Sequence, residues 1–174
     1  MTAIQNRPGR SEAVDYYFLY IDQVTGDDIQ SVLESQSTET LAILGAISEE
    51  DSLRRYTPGK WSIREVVSHV NDCERLFAFR AFWFARGLPA PLPSFDQNVS
   101  TGSWDADALS LSTHVAEFAT LRSATCTLFA NLPDDAWSRH GEASGNPFTV
   151  RALAFIAAGH VAHHLRLLHE LYGI

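Results

Sequence analysis

Thr149-Val-Arg-Ala-Leu-Ala-Phe-Ile-Ala-Ala-Gly-His160-Val-Ala-His163-His164-Leu-Arg-Leu-Leu-His169-Glu-Leu-Tyr172 is the stretch that decides the fold. Leu153, Ala157, His160, His164, Leu167, Leu168 and Leu171 recur at three- and four-residue steps, which is the period of an amphipathic helix. Two histidines therefore stand in the apolar stripe. Residues four apart on a helix carry Cβ atoms only about 5–6 Å apart, so both imidazoles can reach one ion at a Zn–N distance of about 2.0–2.1 Å. His-x-x-x-His also arises by chance among seven histidines, and a buried imidazole is often just a hydrogen-bonded core residue. A third ligand decides between these readings.

The chain around that stretch is 174 residues long, enough for one domain that buries about 70% of its unfolded surface without disulfide staples. Cys73 and Cys126 lie inside apolar-periodic segments with no framework spacing and read as reduced core thiols. The first eleven residues lack a signal-peptide apolar stretch, and no later run approaches the ~18–20 apolar residues of a bilayer span, so a soluble, cytoplasmic protein with no membrane partner is expected. A net charge of −8 with scattered Lys and Arg argues against nucleic acid, because phosphate binding needs clustered cations.

Residues 1–14 are polar, contain Pro8-Gly9 and are expected to form a flexible arm. The aromatic cluster Tyr16, Tyr17, Phe18, Tyr20 and Ile21 reads either as a short helix or as an extended segment docked on the core. A first long helix is expected from Asp27 to about Ser48, with Asp27 as cap, Gln30 reaching back to it, and Ile29, Val32, Leu33, Leu41, Leu44 and Ile47 buried. Ser62 and Glu65 form a capping box that starts the second helix, which runs to about Arg86 before Gly87-Leu-Pro-Ala-Pro-Leu-Pro ends it. Its inward stripe is Val66, His69, Val70, Cys73, Phe77, Arg80 and Phe84, which adds a third histidine facing the core.

The segment 87–104 is long and Pro-rich, and loops of that length in compact domains tend to be functional. A third helix is expected from about Asp105 to Asn131, carrying Leu109, Leu111, Val115, Phe118, Leu121, Cys126, Leu128 and Phe129. A connection through Gly141 to Pro147 leads to Thr149, the cap of the fourth helix. No strand alternation is expected anywhere. Four such helices make an all-α four-helix bundle, a fold whose metal sites are built from facing helices.

If the second and fourth helices are neighbours, His69, His160 and His164 meet in one cup with an open fourth position, which is a catalytic rather than a structural arrangement. His163 is turned about 100° from His164, and His114 is on another helix. Cys73, four residues after His69, can serve as a fourth ligand and close the site, or it is a small apolar core residue, the usual role of a buried free cysteine. The inert role is the one adopted. Asp72 and Glu74 are candidates to orient an imidazole, Asp72 being nearer to His69 around the helix, or they form a solvated face. Arg80 is a candidate anchor for a carboxylate, or half of a buried ion pair.

The run Lys60-Trp-Ser-Ile-Arg-Glu-Val-Val-Ser-His69-Val-Asn-Asp-Cys-Glu-Arg75 resembles the second-helix signature of the DinB family, which includes the YfiT-like and bacillithiol-transferase proteins. Gly159-His160-Val-Ala-His163-His164 resembles its fourth-helix signature, and Phe95-Asp-Gln-Asn98 resembles a loop motif of one branch. The likeness spans about residues 25–172, so that 1–174 is a single DinB-like domain. It implies a divalent cation, nickel or zinc, held by His69, His160 and His164, and a bundle that dimerises. It further implies an enzyme that transfers a low-molecular-weight thiol (bacillithiol, mycothiol or glutathione) to an electrophile through a metal-activated thiolate. The alternatives are a metal-dependent hydrolase that uses metal-bound water, and a non-catalytic bundle with a structural metal. Substrate is expected to enter at the end where the second helix begins, past Trp61, with Phe95, Asp96 and Trp104 of the long loop as a partial lid or as outside packing.

Overall fold

A computed structural model describes residues 7–174 of the chain. The elements in order are α1 (Phe18–Ile21), α2 (Ile29–Gly45), α3 (Ile63–Ala85), α4 (Gln97–Gly102), α5 (Leu111–Ala130), β1 (His140–Ala143), β2 (Asn146–Thr149) and α6 (Val150–Leu167). A single π turn, Leu168–Tyr172, continues α6 to the end of the chain. The long helices α2, α3, α5 and α6 form a four-helix bundle in which α3 packs on α5 and α6, and α2 on the other side of the same pair.

The caps explain the helix starts. Ser62 accepts from the Glu65 amide at 3.1 Å while Glu65 accepts from the Ser62 amide at 2.7 Å, so the capping box is formed as its sequence suggests. Thr149 accepts from the Ala152 amide at 3.0 Å and starts α6. The first long helix begins one residue later than expected: Asp28, whose Oδ1 accepts from Gln30 and Ser31, is the cap. Gln30 does not reach back. Its amide donates across the bundle to the Phe129 carbonyl at 3.1 Å. The third helix also starts late, at Leu111, because Ser110 accepts from the Thr113 amide while Asp105 makes no cap bond and leads only into a 3-10 turn.

Two segments differ from expectation. Residues 1–6 of the expected arm lie outside the described residues, but residues 7–14 are tied down. Arg7 donates to the carbonyls of Ile21 and Val24, the Arg10 guanidinium lies 4.1 Å from the centre of the Phe18 ring, and Glu12 accepts from Thr149 and Arg151. The Gly141–Pro147 connection is a β-hairpin, with His140 opposite Thr149 and Ala143 opposite Asn146. Its turn, Ser144-Gly145, has φ of 55° and 71°, the paired left-handed conformation of a tight hairpin. Leu92 bonds to Glu142 and Ser144 at the hairpin's edge, which pins the Pro-rich loop against it.

Helix α6 is buried on nearly every face from Val150 to Val161, as befits the centre of the fold. At its N-terminal half Leu153, Phe155 and Ile156 join Phe77, Phe84, Phe129, Trp137 and Phe148 in the main core. At the other end Leu168 and Tyr172 pack with Leu44, Ile63, Val66, Val67 and Leu111. The histidines fall between these two apolar clusters. No helix among the described residues is long and apolar enough to cross a membrane.

Candidate metal centre

His69 of α3 and His160 and His164 of α6 come together, each with one ring nitrogen within 4.8 Å of the others. The Nε2 atoms of His69 and His160 lie 3.2 Å apart. Two nitrogens bound at about 2.05 Å to one tetrahedral ion sit about 3.3 Å from each other, so this spacing already suits coordination. All three rings are buried. Burial pushes His69 down to about 4 and His164 down to about 3, and it holds His160 well below its ordinary value with help from the neighbouring His164 and His69. The rings are thus neutral at pH 7, the protonation state in which imidazole is a ligand.

His164 makes no hydrogen bond among the described residues, and its buried Nδ1 has no partner. A buried polar group without a partner is costly unless something else satisfies it, and a cation at the cluster would satisfy the ring. His114 shows the other kind of buried histidine in this chain. Its Nε2 donates to the Ala106 carbonyl at 2.9 Å, a bond that ties α5 to the turn before it, although its Nδ1 also has no partner. His163 lies off the cluster, half-buried, with Nδ1 near Gln23 and Arg166.

Cys73 touches the edge of the site without joining it. Its Sγ is 3.6 Å from His69 Nε2 and 3.8 Å from His69 Nδ1, and the three-nitrogen group does not include it. Burial, then the Asp72 carboxylate, raises its thiol to about 12, which keeps it protonated. Asp72 does not bond to a histidine: Oδ2 accepts from Ser100 at 2.9 Å and Oδ1 faces Arg75. Three residues from His69 is about 300° around a helix, which turns Asp72 toward α4 instead of α6. Glu74 is not a solvated residue either. It is buried and paired twice with Arg122 of α5, at 2.9 Å each.

The walls come from several elements. Trp61 is 5.0 Å from His69 between ring centres, Phe77 is 5.6 Å from His160, and Tyr20 is 5.3 Å from both His160 and His163. Tyr20 is not legible as a site residue from its own neighbourhood. Its approach depends on Gly159, where a Cβ would stand 2.2 Å from the Tyr20 carbonyl oxygen.

A cavity opens on either side of the cluster. One, of about 340 Å³, runs from His164 toward the start of α3 and the end of α6, past Trp61, Tyr56, Lys60 and Leu171. The other, of about 240 Å³, runs from His160 and Cys73 toward Arg80, Phe95 and Ser144. Of the expected lid, Phe95 lines the second cavity, whereas Asp96 caps α4 through bonds to Asn98 and Val99, and Trp104 stays exposed, away from both cavities. The short helix α4 contributes to both mouths, Gln97 to the second and Asn98 to the first.

The family model described as the DinB superfamily matches residues 33–168, most of the chain and all three histidines. The chain belongs to the DinB superfamily. Among solved structures the DinB fold recurs in YfiT from Bacillus subtilis, described as a probable metal-dependent hydrolase with an unusual four-helix bundle topology. YfiT is 17% identical in sequence with a TM-score of 0.64, and the match covers 98% of this chain and 96% of that one. At that identity the likeness establishes the fold. No curated protein matches the sequence.

Proposed function

We propose that this DinB-superfamily chain is a divalent-metal-dependent enzyme whose ion, nickel or zinc, is held by His69, His160 and His164, and that it transfers a low-molecular-weight thiol such as bacillithiol, mycothiol or glutathione to an electrophilic small molecule. The observation that carries this reading is the pair of cavities meeting at three neutral imidazoles, because a transfer between two molecules needs room for both on either side of one reactive point. A divalent ion supplies, when bound, the positive charge that lowers the pKa of a thiol or a water.

The protein's own groups do the rest. Trp61, Phe77 and Tyr20 crowd the histidines and keep bulk water out, which strengthens every charge interaction inside. The wider cavity, more apolar in its lining, suits the electrophile, with Lys60 at its rim to favour a leaving anion. The narrower and more polar one suits the thiol. A hydrolase that uses water in place of the thiol is the second reading, favoured by the description of YfiT and by the same ligand set. Cys73, whose sulfur lies outside the three-nitrogen cluster, weakens the third, in which a closed site is only structural.

The discriminating experiment is turnover of a chlorodinitroarene, and separately of an activated ester, by nickel- or zinc-loaded protein with and without glutathione and bacillithiol. Consumption of the arene that requires thiol and is lost in His160→Ala supports transfer. Ester cleavage at the same rate without any thiol, with no thiol-dependent reaction, overturns it in favour of hydrolysis.

A further inference from the structure

The cavity beside His160 ends on a buried cation that the fold leaves without a counter-charge, its guanidinium set 6.0 Å from the centre of the Phe148 ring. Arg80 is 1% exposed, and its recorded bonds run only through Nη2, to Ser144 Oγ at 2.9 Å and to the Pro93 carbonyl at 3.4 Å. Both acceptors are neutral. Its Nε is buried and has no partner, and no carboxylate among the described residues lies within 4.0 Å of it. Arg122, the other fully buried arginine, is treated very differently: two bonds to the Glu74 carboxylate and one to Gln36 surround it. A buried guanidinium with no counter-charge is costly, and proteins keep such groups where a ligand supplies the missing charge.

The hairpin is shaped to present this group. Ser144 adopts φ 55°, unfavourable for a residue with a side chain, and so places its hydroxyl against Arg80 at the cavity wall. The Pro93 carbonyl arrives through the Leu92 bridge to the same hairpin. We infer that Arg80 anchors the carboxylate of a small acid whose other end reaches the three histidines, which makes a carboxylate-bearing thiol the substrate class of this cavity. The inference rests on the transfer reading for what happens at the histidine end, and on Arg80 alone for the acid.

The span follows from the helix. Arg80 is seven residues beyond Cys73, or about 10 Å of rise, and long side chains on a helix lean toward its N-terminus, here toward the histidines. Phe77 lies between, 5.6 Å from His160. One guanidinium without a lysine beside it neutralises one negative charge, which favours a carboxylate over a phosphate dianion. The other lining groups, the hydroxyls of Tyr16, Tyr17 and Tyr20 and the amide of Gln97, offer neutral hydrogen bonds along the path.

A ruler experiment tests this. Cobalt-loaded protein is titrated with mercaptoacetate, mercaptohexanoate and mercaptoundecanoate and with their methyl esters, reading heat of binding and, separately, the thiolate-to-cobalt absorption band. Mercaptohexanoate should bind roughly tenfold or more tighter than its ester, as expected for charge-assisted bonds from a buried guanidinium, and mercaptoacetate, too short to reach both ends, should show little preference. Arg80→Met should erase the preference without lowering the melting temperature, since it removes a lone buried charge. Ser144→Gly, which suits the turn, should keep the fold and weaken the preference. Equal binding of acid and ester by the native protein, with the thiolate band present, overturns the inference and leaves the transfer reading standing. A retained acid preference with no thiolate band for any thiol sinks the transfer reading and leaves Arg80 as the anchor. A large drop in melting temperature in Arg80→Met with the acid preference intact would make Arg80 a structural residue and end the proposal.

Discussion

Glu74→Leu should be among the most damaging single changes in this protein, because it breaks a buried chain of bonds that sets α3 and α6 against each other. Glu74 on α3 holds Arg122 on α5 through two bonds of 2.9 Å, Arg122 donates to Gln36 Oε1 on α2 at 2.7 Å, and Gln36 Nε2 donates to the Ala158 carbonyl on α6 at 2.9 Å. The two ends of that chain lie five residues from His69 and two from His160. With the pair 0% and 1% exposed, removal of the acid strands a charge in the core, which typically costs about 3–5 kcal/mol. For a domain of this size each kcal/mol is worth about 2–4 °C, so the melting temperature should fall by roughly 6–20 °C.

The double variant Glu74→Leu, Arg122→Met removes both charges and should recover most of that loss, since apolar replacement of a whole buried pair is often close to neutral. Urea and thermal unfolding followed by circular dichroism, set out as a double-mutant cycle, measures both quantities. The reasoning fails if Glu74→Leu stays within about 1 kcal/mol of the native protein, or if the double variant is as unstable as the single one. Gln36→Ala removes two links, the acceptor for Arg122 and the donor to the Ala158 carbonyl, and should cost about 1–3 kcal/mol of stability while loosening the hold on the ion, read as faster metal loss to a chelator.

Cys73→Ala should leave metal content unchanged and cost roughly 1–2 kcal/mol through lost burial; loss of the ion would return Cys73 to the ligand set. Gly159→Ala places a Cβ 2.2 Å from the Tyr20 carbonyl, so it should destabilise by about 1–3 kcal/mol and move the Tyr20 ring off His160, visible as altered tyrosine resonances, whereas an unchanged spectrum would mean that α6 takes up the Cβ without displacing α1. Glu49 accepts from the Ser112 and Leu111 amides at the start of α5, and these bonds hold its carboxyl below the ordinary 4.5. A depressed folded-state value means a contribution present above the unfolded value and lost as pH falls through the folded one. Glu49→Gln should therefore be less stable than the native protein at pH 7, with the gap closing as the pH falls below the folded-state value of Glu49; a gap that persists in strong acid would assign the effect to packing.

The bundle and the histidine triplet are legible in the sequence because both are written in a helical period. Ser62 with Glu65 and Thr149 mark two starts, and the stripes they begin carry His69, His160 and His164 inward on adjacent helices. What the period does not carry is pairing across the bundle. Glu74 reads as a group that orients an imidazole or as a solvated acid until Arg122 arrives from 48 residues away in sequence, and Tyr20 reads as one ring of an aromatic cluster until Gly159 opens a place for it beside His160. The hairpin escapes because its strands are four residues each and one holds Pro147, which argues against a strand. Ser144-Gly145 is the local signal that could have exposed it, a turn dipeptide with both residues at positive φ.

The central claim is that His69, His160 and His164 form one metal site, and metal analysis of purified protein tests it most directly. The native chain should carry about one divalent ion, and His160→Ala, His164→Ala should carry none while keeping its helical circular dichroism, since the apolar clusters on either side of the histidines remain. Full occupancy in that double variant would contradict the account.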